Sequence, residues 1–258
     1  MLTGIDHIVI VVSDLEAAVK DYEQLGFRVV PGGRHPIGTY NALISLADGA
    51  YIELIAFYEG NREHRWWNPL QKGGGLVDFC MQTDDLTSDT ARFRSAGVNI
   101  DDPQPLTRMR PDGTQLRWVL SIPREGHRGV APFLIQDETP REERIPREKT
   151  HKNGTIGIGT VTVAVDVDDL PTVRQWYRSA LGYNGEPIKQ DNIQAEGVRF
   201  KIGSHRLEFV KPVTEQSPLA EWLQLRGPSP YAATLRSNTK KPTKLEKNLT
   251  HGAALSFE

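Results

Sequence analysis

The chain opens on a run of apolar residues that is followed by a helical pattern. Residues 5–12, I-D-H-I-V-I-V-V, are mostly β-branched and apolar, which is typical of a buried strand. Ser13 and Glu16 have the S-x-x-E spacing of a capping box, which predicts the start of a helix, and Gly26 is expected to end it. Shorter strands are predicted near 27–31, 39–46 and 50–57. The first part of the chain is therefore predicted to form a βαβββ unit.

The same start occurs twice more along the chain. G-L-V-D-F-C-M-Q-T-D-D-L begins at Gly75, and G-T-V-T-V-A-V-D-V-D-D-L begins at Gly159. An offset of 155 residues places Glu208 where Glu53 stands in the first copy, within the related segments R-L-E-F-V and Y-I-E-L-I. Repeats of this length indicate that one supersecondary unit has been copied. The sequence predicts three units, at about 4–57, 75–137 and 159–210.

The rest of the chain predicts a linker and an incomplete fourth unit. Residues 138–155 are charged and contain proline, which favours a surface linker whose charges are solvated. Residues 231–236 and 253–257 are strand-like, and no helix is predicted between them. The predicted organisation is a first pair of units at 1–137, a charged linker at 138–158, and a third unit with a truncated fourth unit at 159–258.

Composition narrows the class of protein. The 258 residues are 38% hydrophobic and 25% charged, as in an ordinary globular protein. The formal net charge of -2 gives no electrostatic reason to expect nucleic acid or an anionic membrane as a partner. The single cysteine excludes an intramolecular disulfide and a multi-cysteine zinc site. Neither a signal peptide nor a membrane span is predicted, so we expect a cytoplasmic protein. The glycine runs lead into strands rather than helices, so no nucleotide cofactor is expected.

Two sets of motifs carry a resemblance to known proteins. A βαβββ unit with D-H-I-V-I on its first strand and E-L-I on its last resembles the vicinal oxygen chelate superfamily, which includes glyoxalase I, extradiol dioxygenases, methylmalonyl-CoA epimerase and bleomycin-resistance proteins. The run from Gly32 to Phe57, with H-R-W-W-N-P-L and A-P-F-L-I-Q, is similar to the glyoxalase-like domain family of bacterial proteins. The resemblance implies an α+β fold in which repeated βαβββ units form open, cup-shaped mixed β-sheets with the helices outside. Units in this superfamily pair within one chain or between chains, which leaves a homodimer open.

The resemblance also implies a set of metal ligands. In members that use a metal, the ligands lie on the first and last strands of each unit and converge on the floor of the cup. By position, His7 and Glu53 correspond to the pair of the first unit, and Asp78 to the first ligand of the second unit. Phe133 or Leu134 stands where the acidic residue of the second unit would align. One imidazole and two carboxylates suit Mn²⁺, Fe²⁺, Mg²⁺ or Zn²⁺. The alternative is a hydrogen bond between His7 and Glu53 without a metal.

Further side chains are candidates for contact with a small-molecule ligand: His35, Thr39, Asn41, Trp66, Trp67 and Arg108. The first three lie in the family motif, although Pro36 and Gly38 also favour simple turn chemistry there. The two tryptophans either form an apolar wall or close the core from outside. Arg108 and its neighbour Arg110 either bind a substrate carboxylate or belong to a solvated turn.

Two functions remain open from the sequence. The first is a metal-dependent lyase or isomerase that acts on a small carbonyl or vicinal-oxygen compound in the cup between units one and two, with Glu53 as ligand and as base. The alternative is a metal-free protein that binds or sequesters a small molecule, as bleomycin-resistance proteins do; a purely structural scaffold is a third, weaker hypothesis. A ring-cleaving dioxygenase matches less well, because the triad of two histidines and one carboxylate is missing. Only the first pair of units is expected to be active, with Glu208 held by a hydrogen bond or a salt bridge.

Overall fold

The computed structural model describes residues 1–109 and 113–258, which form two mixed β-sheets with helices. The first unit contains β1 (Leu2–Val11), α1 (Leu15–Gln24), β2 (Val30–Arg34), β3 (Thr39–Ser45) and β4 (Tyr51–Phe57). The connecting helix α2 (Trp67–Gln71) leads to β5 (Gly75–Thr83), α3 (Leu86–Ser95), β6 (Gln104–Met109), β7 (Gln115–Ser121) and β8 (Phe133–Asp137). The linker contains α4 (Arg141–Arg144). The third unit contains β9 (Thr155–Ala164), α5 (Leu170–Leu181), β10 (Glu186–Gln190), β11 (Ala195–Ile202) and β12 (His205–Pro212). The last part contains α6 (Pro218–Arg226), β13 (Ser229–Ser237), β14 (Thr243–Lys244) and β15 (Leu255–Phe257).

Each sheet joins two units of the same chain. The strand order is β2-β3-β4-β1-β5-β8-β7-β6 in the first sheet and β10-β11-β12-β9-β13-β15-β14 in the second. In the first sheet, β1 pairs antiparallel with β5, so the entry strands of units one and two lie side by side. In the second sheet, β9 pairs in the same way with β13 of the incomplete unit. The predicted α+β class with cup-shaped mixed sheets is confirmed.

The helices begin and end close to the predicted positions. Helix α1 begins at Leu15, but its N-cap is Asp14, whose carboxylate accepts from the Ala17 amide, rather than Ser13 of the predicted capping box. After the helix, Gly26 has a φ of +87°, a conformation that glycine adopts without strain. Helix α6 was not predicted, because the sequence before β13 carries no clear amphipathic pattern.

The main core lies on the helix side of both sheets. Tyr22 of α1, Phe93 of α3 and Tyr177 of α5 are completely buried there. The Phe93 and Tyr177 rings meet edge to face at 5.6 Å, and Tyr177 lies 4.3 Å from Phe209 of the second sheet. The helices therefore pack outside the cups, and one continuous core joins the two halves.

A second apolar cluster lies on the opposite face of the first sheet. It includes Val9 of β1, Ile55 of β4, Cys80 of β5 and Phe133 of β8, and Trp66 covers it from the segment between β4 and β5. This is the inner face of the first cup, and the connecting segment closes it from the side opposite the sheet.

A β-bulge interrupts the alternation of β1. Ile5 pairs with Met81 and His7 pairs with Cys80, so Asp6 is an extra residue without a partner on β5. The side chain of Asp6 is completely buried and bonds the imidazole of His7 instead of packing among the helices. Strict alternation would have placed this carboxylate on the other face of the sheet. The bulge places it in the cup instead.

The predicted linker is bound to the rest of the protein over much of its length. Arg144 is 7% exposed, His151 6% and Asn153 3%. The expectation that this segment's charges are solvated is wrong for Arg144, because its guanidinium forms ion pairs with Asp6 and Asp137. The physical reason is that the buried carboxylate of Asp6 needs a cation, and the linker supplies it.

Candidate functional site

His7 and Glu53 lie next to each other on the floor of the first cup. They belong to the parallel neighbours β1 and β4, where His7 pairs with Tyr51 and Val9 pairs with Glu53. The distance from His7 Nε2 to Glu53 Oε2 is 3.5 Å, and the two residues are 4% and 7% exposed. The structure therefore brings together the two residues that the family motif singles out.

Asp6 holds the imidazole in one orientation. Its Oδ1 lies 2.7 Å from His7 Nδ1, and its carboxylate also bonds Arg141 and Arg144. Burial by itself raises the pKa of Asp6, but Arg144 and His7 outweigh it and hold the pKa well below its usual range. Because Asp6 is ionised, Nδ1 donates to it, and Nε2 turns towards Glu53. Sequence reasoning missed Asp6, since the bulge that turns it into the cup has no clear sequence signal.

Glu53 is held from its other side by Asn41. Asn41 Nδ2 donates to Glu53 Oε1 at 2.6 Å, and Asn41 Oδ1 accepts from the Gly33 amide at 2.9 Å. A Cβ atom at Gly32 would lie 2.0 Å from Asn41 Oδ1, so the amide can reach Glu53 only because residue 32 is glycine. Asn41 is thus a positioning contact for Glu53.

His35 and Thr39 form a second polar pair near the same edge of the cup. His35 Nδ1 and Thr39 Oγ1 are 2.8 Å apart. Burial lowers the pKa of His35, Glu53 opposes this and Arg108 adds to it. Arg108 lies on β6, at the opposite edge of the sheet from β2. Arg110, the other arginine predicted in this loop, lies outside the described residues.

Asp78 faces the cup but has other partners. Its Oδ2 accepts from Trp66 Nε1 at 2.9 Å, and its Oδ1 accepts from the Phe79 amide at 2.9 Å. Arg65 Nη1 lies 3.7 Å from Oδ2. Burial raises the pKa of Asp78, while Arg65 and Trp66 lower it. In the sheet register Val9 stands between Glu53 and Asp78, so the three predicted ligands do not form one compact cluster.

A different group of potential ligands does converge in the described part of the chain. Ligand atoms of Asp6, His7 and Cys80 lie within 4.8 Å of one another. Two of the three are poorly suited to a metal, because two arginines already bind the Asp6 carboxylate and burial raises the pKa of the Cys80 thiol well above its usual value. His7 and Glu53 remain the better pair of donors.

The two tryptophans have different surroundings. Trp66 is 7% exposed and forms part of the inner wall, 6.4 Å from the Phe133 ring. Trp67 is half-buried, meets Phe57 edge to face at 5.2 Å and lines an open groove of about 450 Å³ beside α2. Trp66 therefore covers the apolar cluster on the inner face of the cup, and Trp67 packs at its rim, so contact of either ring with a ligand stays a prediction.

The second sheet offers an internal comparison. By sheet register Thr160, which pairs with Arg206 as His7 pairs with Tyr51, stands at the position of His7. Thr162 pairs with Glu208 as Val9 pairs with Glu53, and its hydroxyl lies 3.5 Å from Glu208 Oε2. Arg199 and Gln190 also bind the Glu208 carboxylate. Glu208 therefore has the hydrogen-bond and salt-bridge partners expected for it.

Acid should destabilise the folded protein at pH values below about 6.5. Burial lowers the pKa of His35, His127 and His151, and it lowers that of His64 to about 4. The folded state thus binds fewer protons than the unfolded chain in this range, so its stability is present above the unfolded pKa and falls as the pH decreases. The midpoint of thermal unfolding, measured from pH 7.5 to pH 4.5, should decrease, and less steeply in His64→Gln. A midpoint that stays constant from pH 7.5 to pH 5 would contradict this.

Comparison with known proteins gives one family and several related folds. The sequence model of the glyoxalase-like domain matches residues 5–181. A hypothetical protein from Staphylococcus aureus has a TM-score of 0.69 at 15% identity, with 98% of both chains covered. A triple mutant of 4-hydroxymandelate synthase from Streptomyces coelicolor has a TM-score of 0.63 at 16% identity, covering 92% of this chain and 71% of that chain. A fusion protein of a xylose isomerase-like TIM barrel and a 4-hydroxyphenylpyruvate dioxygenase has a TM-score of 0.57 at 15% identity, covering 92% and 36%. At such identities the likeness shows the fold alone.

A search among curated proteins and an inspection of the helices both give negative results. No curated protein sequence matches this chain. Within the described ranges, none of the helices has the length and apolar character that a membrane span needs.

Proposed function

Since this chain belongs to the glyoxalase-like domain family, we propose that its first cup is the active site of a lyase or isomerase that uses a divalent metal ion and acts on a small carbonyl or vicinal-oxygen compound. The resemblance to the vicinal oxygen chelate fold is confirmed by the family match and the related structures. The observation that carries the proposal is the approach of His7 Nε2 to Glu53 Oε2 at 3.5 Å in a buried site. Asp6 accepts the Nδ1 proton, so in the neutral imidazole Nε2 carries the lone pair and faces a carboxylate oxygen. A divalent cation shared by these two acceptors would satisfy both, whereas a proton on Nε2 that is donated to Glu53 is the arrangement expected without a metal.

His7 and Glu53 are placed so that they could occupy two coordination positions of one divalent ion. Ligand atoms that bind one ion at about 2.0–2.2 Å each lie roughly 3–3.5 Å apart, which matches the His7–Glu53 distance. The contact of Asp6 with Nδ1 is the partner that metal-bound histidines usually have, and it increases the basicity of Nε2. Asp78 does not fit as the third ligand, because its oxygens already accept from Trp66 and Phe79. His7 and Glu53 would hold the ion, which when bound would polarise an oxygen of the substrate.

Glu53 is the residue that would accept the proton from the substrate carbon. Glu53 Oε1 is fixed by Asn41, so the carboxylate can accept a proton from a carbon next to a carbonyl without a change of rotamer. Val9, Phe133 and Trp66 exclude water around it, which strengthens the electrostatic interactions inside the cup. His7 stays in place through Asp6 during such a transfer.

A metal-free binding protein is the second candidate, and the filling of the cup favours it. Phe133 lies in the region where the second unit lacks an acidic ligand, and its ring lies 4.3 Å from the Arg65 guanidinium. A cation and an aromatic wall in this place suit a ligand bound by charge and apolar contact. The small-molecule ligand belongs to both proposals, whereas a homodimer and a cytoplasmic location stay predictions from the sequence.

Metal content separates the two candidates. Protein purified without a chelating tag should contain a stoichiometric divalent metal by elemental analysis, and His7→Ala should lose it, because one of two protein ligands is gone. Thr160→Ala, at the position of the third unit that is equivalent to His7 in the sheet register, should keep the metal. Metal-free wild-type protein that binds a hydrophobic dye tightly would overturn the enzyme proposal in favour of the binding protein.

A further inference from the structure

Arg65 is a nearly buried cation inside the first cup. Its side chain is 12% exposed, and its guanidinium carbon lies 4.3 Å from the centre of the Phe133 ring and 4.4 Å from that of Trp66. Both rings belong to the cluster on the inner face of the cup. The guanidinium is therefore held against two aromatic surfaces on the same side of the sheet as His7 and Glu53.

The hydrogen bonding of this guanidinium is incomplete. Arg65 Nη1 is buried and has no hydrogen-bond partner among the described residues. Asp78 balances the charge, but its Oδ2 is 3.7 Å away, beyond normal hydrogen-bond length, and that oxygen already accepts from Trp66. Most buried donors in proteins are paired, so Arg65 Nη1 has a donor position that an oxygen of a bound molecule can fill.

The geometry also connects Arg65 with the proposed reaction centre. His7 lies 5.2 Å from the centre of the Phe133 ring, and Arg65 contacts the same ring. The imidazole and the guanidinium therefore lie against the same aromatic ring. A guanidinium presents parallel N–H donors that match the two oxygens of a carboxylate.

We propose that Arg65 binds the carboxylate of the ligand, so the first cup takes a small carboxylic acid that carries a carbonyl group. This proposal rests on the proposed function and names its substrate class. Asp78 is then the counter-charge of Arg65 in the free protein, and the ligand carboxylate supplies the hydrogen-bond acceptor that Asp78 does not. The segment between β4 and β5 that covers the cup also carries this anchor.

Binding of pyruvate and its uncharged methyl ester tests the proposal. Calorimetric titration of the full chain, with and without EDTA, should show pyruvate binding about 10- to 100-fold tighter than methyl pyruvate, the usual range for hydrogen bonds to charged groups. Arg65→Gln should lose this preference, and Arg65→Lys should retain part of it. Asp78→Asn should bind pyruvate more tightly than the wild type, because it removes the competing carboxylate.

The outcomes distinguish this proposal from the proposed function. Equal affinity of the wild type for acid and ester, no binding of either, or an unchanged preference in Arg65→Gln overturns the anchor, even if His7→Ala still loses its metal. Retained acid preference in His7→Ala, together with its loss in Arg65→Gln, supports the anchor even if no metal is found. If Arg65→Gln does not fold, a weaker preference in Arg65→Lys and a stronger one in Asp78→Asn support the proposal, and no change in either overturns it.

Discussion

Arg144→Ala should lower the free energy of unfolding by about 3 kcal/mol, the lower end of the range for breaking a buried ion pair. Arg144 Nη2 lies 2.8 Å from Asp6 Oδ2, and Nε lies 2.6 Å from Asp137 Oδ1. Its Nη1 also donates to the Tyr51 hydroxyl at 3.1 Å. Alanine removes the five hydrogen bonds with these three residues and leaves a completely buried carboxylate with less positive charge around it. Arg141 remains beside Asp6, which keeps the loss at the lower end.

Urea-induced unfolding at pH 7.5 measures this effect. Arg147→Ala is the matched control, because Arg147 lies in the same segment and is exposed. It should change the free energy of unfolding by less than about 0.5 kcal/mol. A loss below about 1 kcal/mol in Arg144→Ala would show that the ion-pair cluster contributes little to stability.

Glu53→Gln should reduce the catalysed exchange of a proton next to a carbonyl by about 10²- to 10⁴-fold, the contribution typical of a positioned base. The substitution keeps the shape of the side chain and leaves an oxygen that can still accept from Asn41. It removes the charge that attracts a cation and the group that accepts the proton. Proton NMR in deuterium oxide, with hydroxyacetone and pyruvate as probes, follows the exchange without knowledge of the natural substrate.

The duplicated unit supplies the control for this experiment. Glu208→Gln changes the equivalent residue of the second sheet, which Arg199 and Gln190 hold in a different polar environment. Its exchange rate should equal that of the wild type. Full exchange in Glu53→Gln, or an equal loss in Glu208→Gln, would place the catalytic base elsewhere.

The fold could be predicted from the sequence because the patterns that indicate its strands and helices are local and recur in each unit. Each unit begins with a β-branched strand that is followed by a helix, and the copies agree closely in spacing, so one pattern recurs three times. The proximity of His7 and Glu53 also followed from the unit, since its first and last strands are parallel neighbours. These features depend on periodicity and on pairing between strands of one unit.

The rest of the site depends on contacts that no local pattern encodes. Strand alternation predicts that Asp6 faces away from His7, and only the bulge against β5 turns it into the cup. Arg144 reaches Asp6 across 138 positions of sequence, from a segment whose composition is typical of a solvated linker. Arg65 lies on a connecting segment beside two tryptophans, where charge and aromatic pattern alone do not show which way the guanidinium turns.

The attachment of the linker to β1 sets a minimum length for any fragment that keeps the reaction centre. The last strand of the first sheet ends at Asp137, so strand order alone would place the end of such a fragment there. Such a fragment would lack Arg141 and Arg144 and would leave Asp6 without either guanidinium in the floor beneath His7. A fragment meant to retain an intact reaction centre would have to extend at least through Ile145. The fragment that neutralises the charge of Asp6 is therefore longer than the fragment that contains all the strands of the first sheet.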